Sequence, residues 1–217
     1  MLIPLSWLAA RYHLQVTGVL HVGAHECEER EAYHQLGLRD ADIFWVEGNS
    51  DIVARVQKHL GKTVQIYDAL VSEEDSKEVN FIITNNGQSS SILELEEHKT
   101  EHPHIWEVDR YQKVTTRLET LINKEMSGTF DKVNLLNLDI QGAELLALKG
   151  LGHYLDQMQY VYTEVNTKPL YTGAVLLPEL DQFLYQKGFQ RLETNMTPHG
   201  WGDAFYKRVD SGKVSHR

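Results

Sequence analysis

Four times along this chain a short apolar run stops on a glycine or an acidic residue and a helical pattern follows, and this alternation restricts the fold more than any other feature. Gly18–Val22 ends at Gly23 ahead of a polar helix over Glu26–Leu36, and Asp42–Val46 closes on Glu47 ahead of the amphipathic Asp51–Leu60. Val133–Leu138 ends on Asp139 and leads through Gly142 into Ala143–Lys149, and Tyr160–Thr163 ends on Glu164 before a helix over Pro178–Lys187. Such spacing suits right-handed βαβ crossovers. Thr63–Val71 reads as a further strand, with Glu78–Ile83 as its hairpin partner and Asn85–Gln88 as a turn. Two last strands, Phe189–Glu193 and Asp203–Arg208, flank the loop Asn195–Gly202. The expectation is an α/β protein with an open, mostly parallel sheet, helices on both faces and an antiparallel strand near one edge.

A chain of 217 residues suits one domain. It is expected to carry an N-terminal helix over residues 1–16 packed on the domain, a lid-like insertion over 85–113 where charge is high and periodicity weak, and a tail over 209–217. Hydrophobic residues make up 41% and charged residues 24%, an ordinary globular balance. The net charge of -10 argues against nucleic acid as a partner, because a basic footprint supplies most of that affinity. Cys27 is the single cysteine, so no intrachain disulfide forms and a cytoplasmic setting is expected. Leu5, Leu8, Ala9 and Tyr12 lie on one helical face after Pro4, without the basic start and apolar core of a signal peptide, and no membrane span is expected.

Ligands of such sheets sit beyond the carboxyl ends of the strands, so the strand ends carry the chemistry. Gly23 lets a ligand approach the backbone, and the amides of a following helix N-terminus favour an anion. Gly23-Ala24-His25-Glu26 lacks the further glycines that seat a pyrophosphate, which favours a nucleoside over a dinucleotide. Glu47 follows Gly23 by 24 positions, close to the offset of ~20 at which an acid reaches ribose hydroxyls. Asp68 is placed to accept from an adenine amino group, with Ala69 and Leu70 beside it. Taken singly, Gly23 is an ordinary turn, Glu47 a capping carboxylate before Asn49 and Ser50, and Asp68 a solvated edge residue. Together they stand on successive strand ends in the order a nucleoside site requires.

Three segments, Val19-Leu20-His21-Val22-Gly23-Ala24-His25, Leu138-Asp139-Ile140-Gln141-Gly142-Ala143-Glu144 and Leu148-Lys149-Gly150, resemble the FkbM family of S-adenosylmethionine-dependent methyltransferases. Glu164-Val165-Asn166 with Pro169-Leu170-Tyr171, Gly200-Trp201-Gly202-Asp203-Ala204 and the run Ser89-Ser90-Ser91 are similar to further parts of that family. The resemblance spans Gly18 to Arg208 and implies a Rossmann-like methyltransferase fold over residues 17–208 with a seven-stranded sheet. It also implies S-adenosyl-L-methionine as methyl donor, S-adenosyl-L-homocysteine as product, and a hydroxyl of a sugar or glycan, such as a terminal deoxysugar, as acceptor. A small phenolic or polyketide acceptor is the alternative. The cofactor residues expected on this reading are Gly23, Ala24, His25, Glu26, Glu47, Asn49, Asp68, Ala69, Leu70 and Asp139. His21 stands where many members carry an acid, which moves the carboxylate contact to the cofactor's amino group onto Glu26 or another acid.

A sugar hydroxyl is a weak nucleophile at neutral pH, so a positioned base is required. Asp139 is the first candidate, with Glu164 and His199 as the others; helix capping or cofactor contact is the competing role for Asp139. A divalent ion on Asp139, Glu164 and Asn166 is a less favoured alternative that makes Asp139 a ligand. His98, His102 and His104 match no tight metal-ligand spacing and read as a solvated loop, while Trp106, Tyr111, Tyr171 and Trp201 are candidates for an aromatic floor. Two other functions compete. A nicotinamide oxidoreductase would share Gly23 and Glu47 but lacks its glycines, and a non-catalytic protein would have no need of the polar residues at Asp139, Glu164 and His199.

Overall fold

Strands buried on both faces can only lie inside a covered sheet, and two such runs, β1 (Val19–Val22) and β7 (Leu135–Leu138), form its centre. The computed structural model describes residues 1–209. In chain order, α1 (Leu5–Tyr12), β1, α2 (Arg30–Gln35), β2 (Ile43–Glu47), α3 (Ser50–Leu60) and β3 (Gln65–Asp68) form the first half. The second half holds α5 (Leu118–Leu121), β7, α6 (Glu144–Gly150), β8 (Tyr160–Asn166), α7 (Leu177–Gln186), β9 (Phe189–Met196) and β10 (Trp201–Arg208). The strands order as β3-β2-β1-β7-β8-β10-β9 in a seven-stranded sheet. Every pair through β8 is parallel; β10 runs antiparallel to both of its neighbours, β8 and β9.

Alternate residues of each strand feed opposite cores, as a period of two requires. Leu20, Val22, Phe44, Val46, Leu136 and Leu138 pack with Leu118, Leu148, Leu180 and Leu184 of α5, α6 and α7. Val19, Ile43, Trp45 and Leu135 pack on the other face with Leu5, Leu8, Tyr33, Ile52 and Val56 of α1, α2 and α3. His21 and Asn137 interrupt the central strands with polar side chains, yet both are buried and satisfied: Tyr33 Oη lies 3.0 Å from His21 Nδ1 and 2.7 Å from Asn137 Nδ2.

Between the halves lies a three-stranded sheet, β4 (Leu70–Val71), β6 (Glu107–Thr116) and β5 (Glu78–Thr84), ordered β4-β6-β5, with α4 (His98–Glu101) before β6. The single strand expected over Thr63–Val71 is therefore two. At Ala69 the backbone amide still bonds the Glu47 carbonyl (3.0 Å), after which β4 leaves the large sheet to pair with β6. The hairpin expected between that strand and Glu78–Ile83 does not form, since β5 pairs antiparallel with β6. β6 lies within charged sequence and is exposed over most of its length, so it has no apolar alternation to announce it. The helix expected from Glu26 begins only at Arg30, because His25 and Cys27 take left-handed φ values of 41° and 61°. Of the tail, residues 210–217 lie outside the described residues. Among the described residues no helix is long and apolar enough to cross a membrane.

Gly23 is required by the packing itself. Its φ is +87°, and a Cβ there would stand 1.8 Å from the carbonyl oxygen of Asp139. Gly23→Ala is expected to lower unfolding stability by roughly 2 kcal/mol or more; an unchanged urea midpoint would show that the two loops do not meet in this way.

Candidate active site

The carboxyl ends of β1, β2, β7 and β8 open into a cavity of about 460 Å³, within the usual range of small-molecule sites. One half is built on Gly23, Ala24 and His25 after β1, Glu47 and Gly48 after β2, and Ala69 and Leu70 beyond β3. Glu47 is buried and spans two loops: its Oε2 accepts the His25 amide (2.8 Å) and its Oε1 the Asn49 amide (2.7 Å). Burial raises its pKa and these amides oppose the rise. Each oxygen retains lone-pair capacity for a hydroxyl from the cavity. Beside it, Leu70 and Phe81 pack directly on Gly48, where a Cβ would meet Leu70 Cδ1 at 2.9 Å and Phe81 Cζ at 3.3 Å, so the three form an apolar wall of the cavity next to a carboxylate. That pairing suits a nucleoside, with sugar hydroxyls on the acid and the base against the apolar wall. Asn86 to Ser91 cross the cavity as a strap, where Gln88 Nε2 donates to Glu28 (3.3 Å) and Glu28 in turn pairs with His25 (2.6 Å).

The other half centres on Asp139 and Glu164. Asp139 is exposed into the cavity, whereas Glu164 is buried behind it, inside β8 rather than at its end. Gln141 Nε2 donates to both, at 2.7 Å to Asp139 Oδ1 and 2.6 Å to Glu164 Oε2, and its Oε1 accepts Tyr171 Oη at 2.7 Å. Burial, and then the neighbouring Asp139 charge, hold the Glu164 carboxyl well above the usual range. Glu144, raised to about 7 by burial, accepts the Ile140 and Gly142 amides at 3.1 Å each and so ties the turn after β7. Tyr171 and Trp201 line this half together with His98 and His102. His98 is buried with its Nδ1 unpartnered, and burial lowers its pKa to about 4.

Several residues expected at the site are engaged elsewhere. Asp68 lies off the cavity, ion-paired with Lys113 on β6. Asn49 caps α3, accepting the Asp51 amide at 3.0 Å, and Glu26 faces Arg55 at 3.3 Å. His199 does not line the cavity; its ring packs 5.0 Å from His102 and bonds Glu101 at 3.1 Å. Asn166 follows Glu164 on β8 without reaching the cavity, and its buried side-chain atoms have no partner. Among the described residues no group of three or more His, Cys, Asp or Glu is arranged to hold a metal ion. The amides after β1, expected to receive an anion, are already used. Gly23 and Ala24 donate to the Val46 carbonyl, His25 to Glu47 and Glu26 to Glu28 Oε2. Of the four candidate floor aromatics, Trp106 is exposed and Tyr111 packs on Phe81, both off the cavity.

Residues 21–191 match the methyltransferase FkbM domain. The chain belongs to the FkbM methyltransferase family. A curated relative, the 2-O-methyltransferase NoeI of Sinorhizobium fredii, is 21% identical over 168 residues, which is 73% of this chain and 67% of that protein. Among solved structures, magnesium protoporphyrin IX methyltransferase from Synechocystis, with bound SAM, superposes with a TM-score of 0.50 at 10% identity, covering 94% of this chain and 76% of that one. A ribosomal protein L11 methylase from Lactobacillus delbrueckii subsp. bulgaricus gives a TM-score of 0.50 at 12% identity, covering 95% and 78%. These likenesses show the Rossmann-like methyltransferase fold.

Sequence reasoning missed Gly48, Phe81, His98 and Gln141 of this FkbM domain. Gln141 lies inside the recognised Asp-x-x-Gly-Ala-Glu segment, but nothing in the letters foretells its left-handed φ of 55°, which helps set where its side chain goes. Glu164 has a consequence for stability. The folded chain holds its proton more tightly than the unfolded chain, so the stabilising effect is present below the ordinary value of 4.5 and is lost as pH rises through the folded-state value. Glu164→Gln is therefore expected to gain urea stability relative to wild type as pH rises above the ordinary value of 4.5. Parallel midpoints across that rise would refute the assignment.

Proposed function

We propose that this FkbM protein is an S-adenosyl-L-methionine-dependent O-methyltransferase acting on a hydroxyl of a sugar or glycan. The observation that carries this reading is one cavity with a carboxylate beside an apolar wall at one end and the cavity-facing Asp139 at the other. Glu47 takes the ribose hydroxyls, and Leu70, Phe81 and Gly48 hold the adenine. When bound, S-adenosyl-L-methionine supplies a methyl group on a cationic sulfur.

Asp139 accepts the proton of the acceptor hydroxyl as that oxygen forms its bond to the methyl carbon and the carbon–sulfur bond breaks. The proton then passes to solvent. A positioned base contributes ~10²–10⁴-fold, and alignment of the two reactants in a water-poor cavity contributes the larger share. Tyr171 and Trp201 offer ring faces to a sugar. The relative's designation as a 2-O-methyltransferase supports oxygen as the methylated atom.

S-adenosyl-L-methionine at ~100 times its Kd should add ~2.7 kcal/mol of stability, read as a rise in Tm. NADH should add none, and no shift with S-adenosyl-L-methionine overturns the reading. Asp139→Asn should lower labelled-methyl transfer to a panel of sugars by ~10²–10⁴-fold while sparing cofactor binding; full activity would exclude Asp139 as base. Glu47→Ala should weaken cofactor binding by about 10–100-fold, through loss of hydrogen bonds to a charged group, and an unchanged Kd by calorimetry would remove Glu47 from the ribose site.

A further inference from the structure

Two carboxyl groups side by side are costly when both are charged, and proteins relieve this with a shared proton or with a cation between them. Here Glu164 keeps its proton beside Asp139, and the neutral amide of Gln141 bridges the two, donating one hydrogen to each at 2.7 Å and 2.6 Å. The amide is held from behind. Its oxygen accepts the Tyr171 hydroxyl at 2.7 Å, which leaves Nε2 as the end that faces the acids, and the Gln141 carbonyl accepts Ser91 Oγ at 2.9 Å. Its φ of 55° is a conformation that non-glycine residues keep only where the surroundings enforce it. Gln141 thus joins the strap residue Ser91, Tyr171 and both carboxyl groups.

We propose that Gln141 is a positioning residue whose amide fills the place a divalent cation would take between Asp139 and Glu164, so that the site works on its hydroxyl acceptor without a metal ion. An amide nitrogen is a donor and repels a cation, whereas the oxygens around it are the hard ligands that magnesium or manganese prefers. By engaging Oδ1 of Asp139, Gln141 leaves Oδ2 for the acceptor hydroxyl. This last consequence rests on Asp139 being the base. Gln141→Glu replaces the donor with carboxylate oxygens at the same point and is expected to turn the trio into a cation site.

The test is a manganese titration, with free Mn²⁺ followed by electron paramagnetic resonance, on wild type, Asp139→Asn, Gln141→Glu and the double variant Gln141→Glu/Asp139→Asn. Wild type should take up no Mn²⁺ that Asp139→Asn abolishes; Gln141→Glu should take up one ion per chain, and the double variant should lose it. Uptake by wild type that Asp139→Asn removes overturns the proposal. So does a Gln141→Glu variant that keeps the wild-type near-ultraviolet circular dichroism and binds no Mn²⁺. Should that variant not fold, the wild-type titration decides alone, joined by labelled-methyl transfer after exhaustive chelation, where loss of activity restored by Mn²⁺ overturns the proposal. The titrations need neither acceptor nor turnover. Their failure is therefore distinct from failure of the O-methyltransferase reading, which falls if S-adenosyl-L-methionine does not stabilise the protein.

Discussion

The contact between the loops leaving β1 and β7 is the constraint on which the rest of the site depends. Gly23 passes so close to the Asp139 carbonyl that no side chain fits at position 23, and the Asp139 amide bonds the Val22 carbonyl at 2.9 Å. This contact joins the Glu47 half of the cavity to the Asp139 half at the centre of the sheet. It also sharpens the reason for the glycine. Sequence reasoning assigned Gly23 to ligand approach, but the backbone of the neighbouring strand already requires it.

Carboxyl groups dominate the cavity, and their handling explains how an acidic protein tolerates them there. Glu47 and Glu144 each accept two backbone amides, so their loops are fastened by groups that are otherwise costly to bury. Glu164 instead keeps a tightly held proton and shares an amide donor with Asp139. Asp139 alone of these four is exposed rather than buried, and that separates its chemistry from theirs.

How far each feature was legible depended on the distance in sequence over which it is decided. Strand ends at Gly23, Glu47 and Asp139 are local, because a buried run followed by a polar turn marks itself. Asp68 also ends a strand, yet Lys113 arrives 45 positions later to occupy its carboxylate, and no local pattern carries that information. His98 reads as part of a charged loop, but Leu170 accepts its backbone amide at 3.1 Å and Tyr171 packs against its ring, so it is buried in the cavity wall. His199, expected near the reacting groups, is held by Glu101 outside them.

By itself the sequence determined the alternating α/β order, the edge where the chain reverses, and the segments that mark the FkbM family, because periodicity and short motifs are properties of neighbouring residues. Only the tertiary structure decided that β6 closes a second sheet, which strand-end acids face the cavity, and that Gln141 stands between Asp139 and Glu164. Those outcomes depend on which distant segments meet, and on the burial and hydrogen bonding that the meeting imposes on groups whose chemistry the letters leave open.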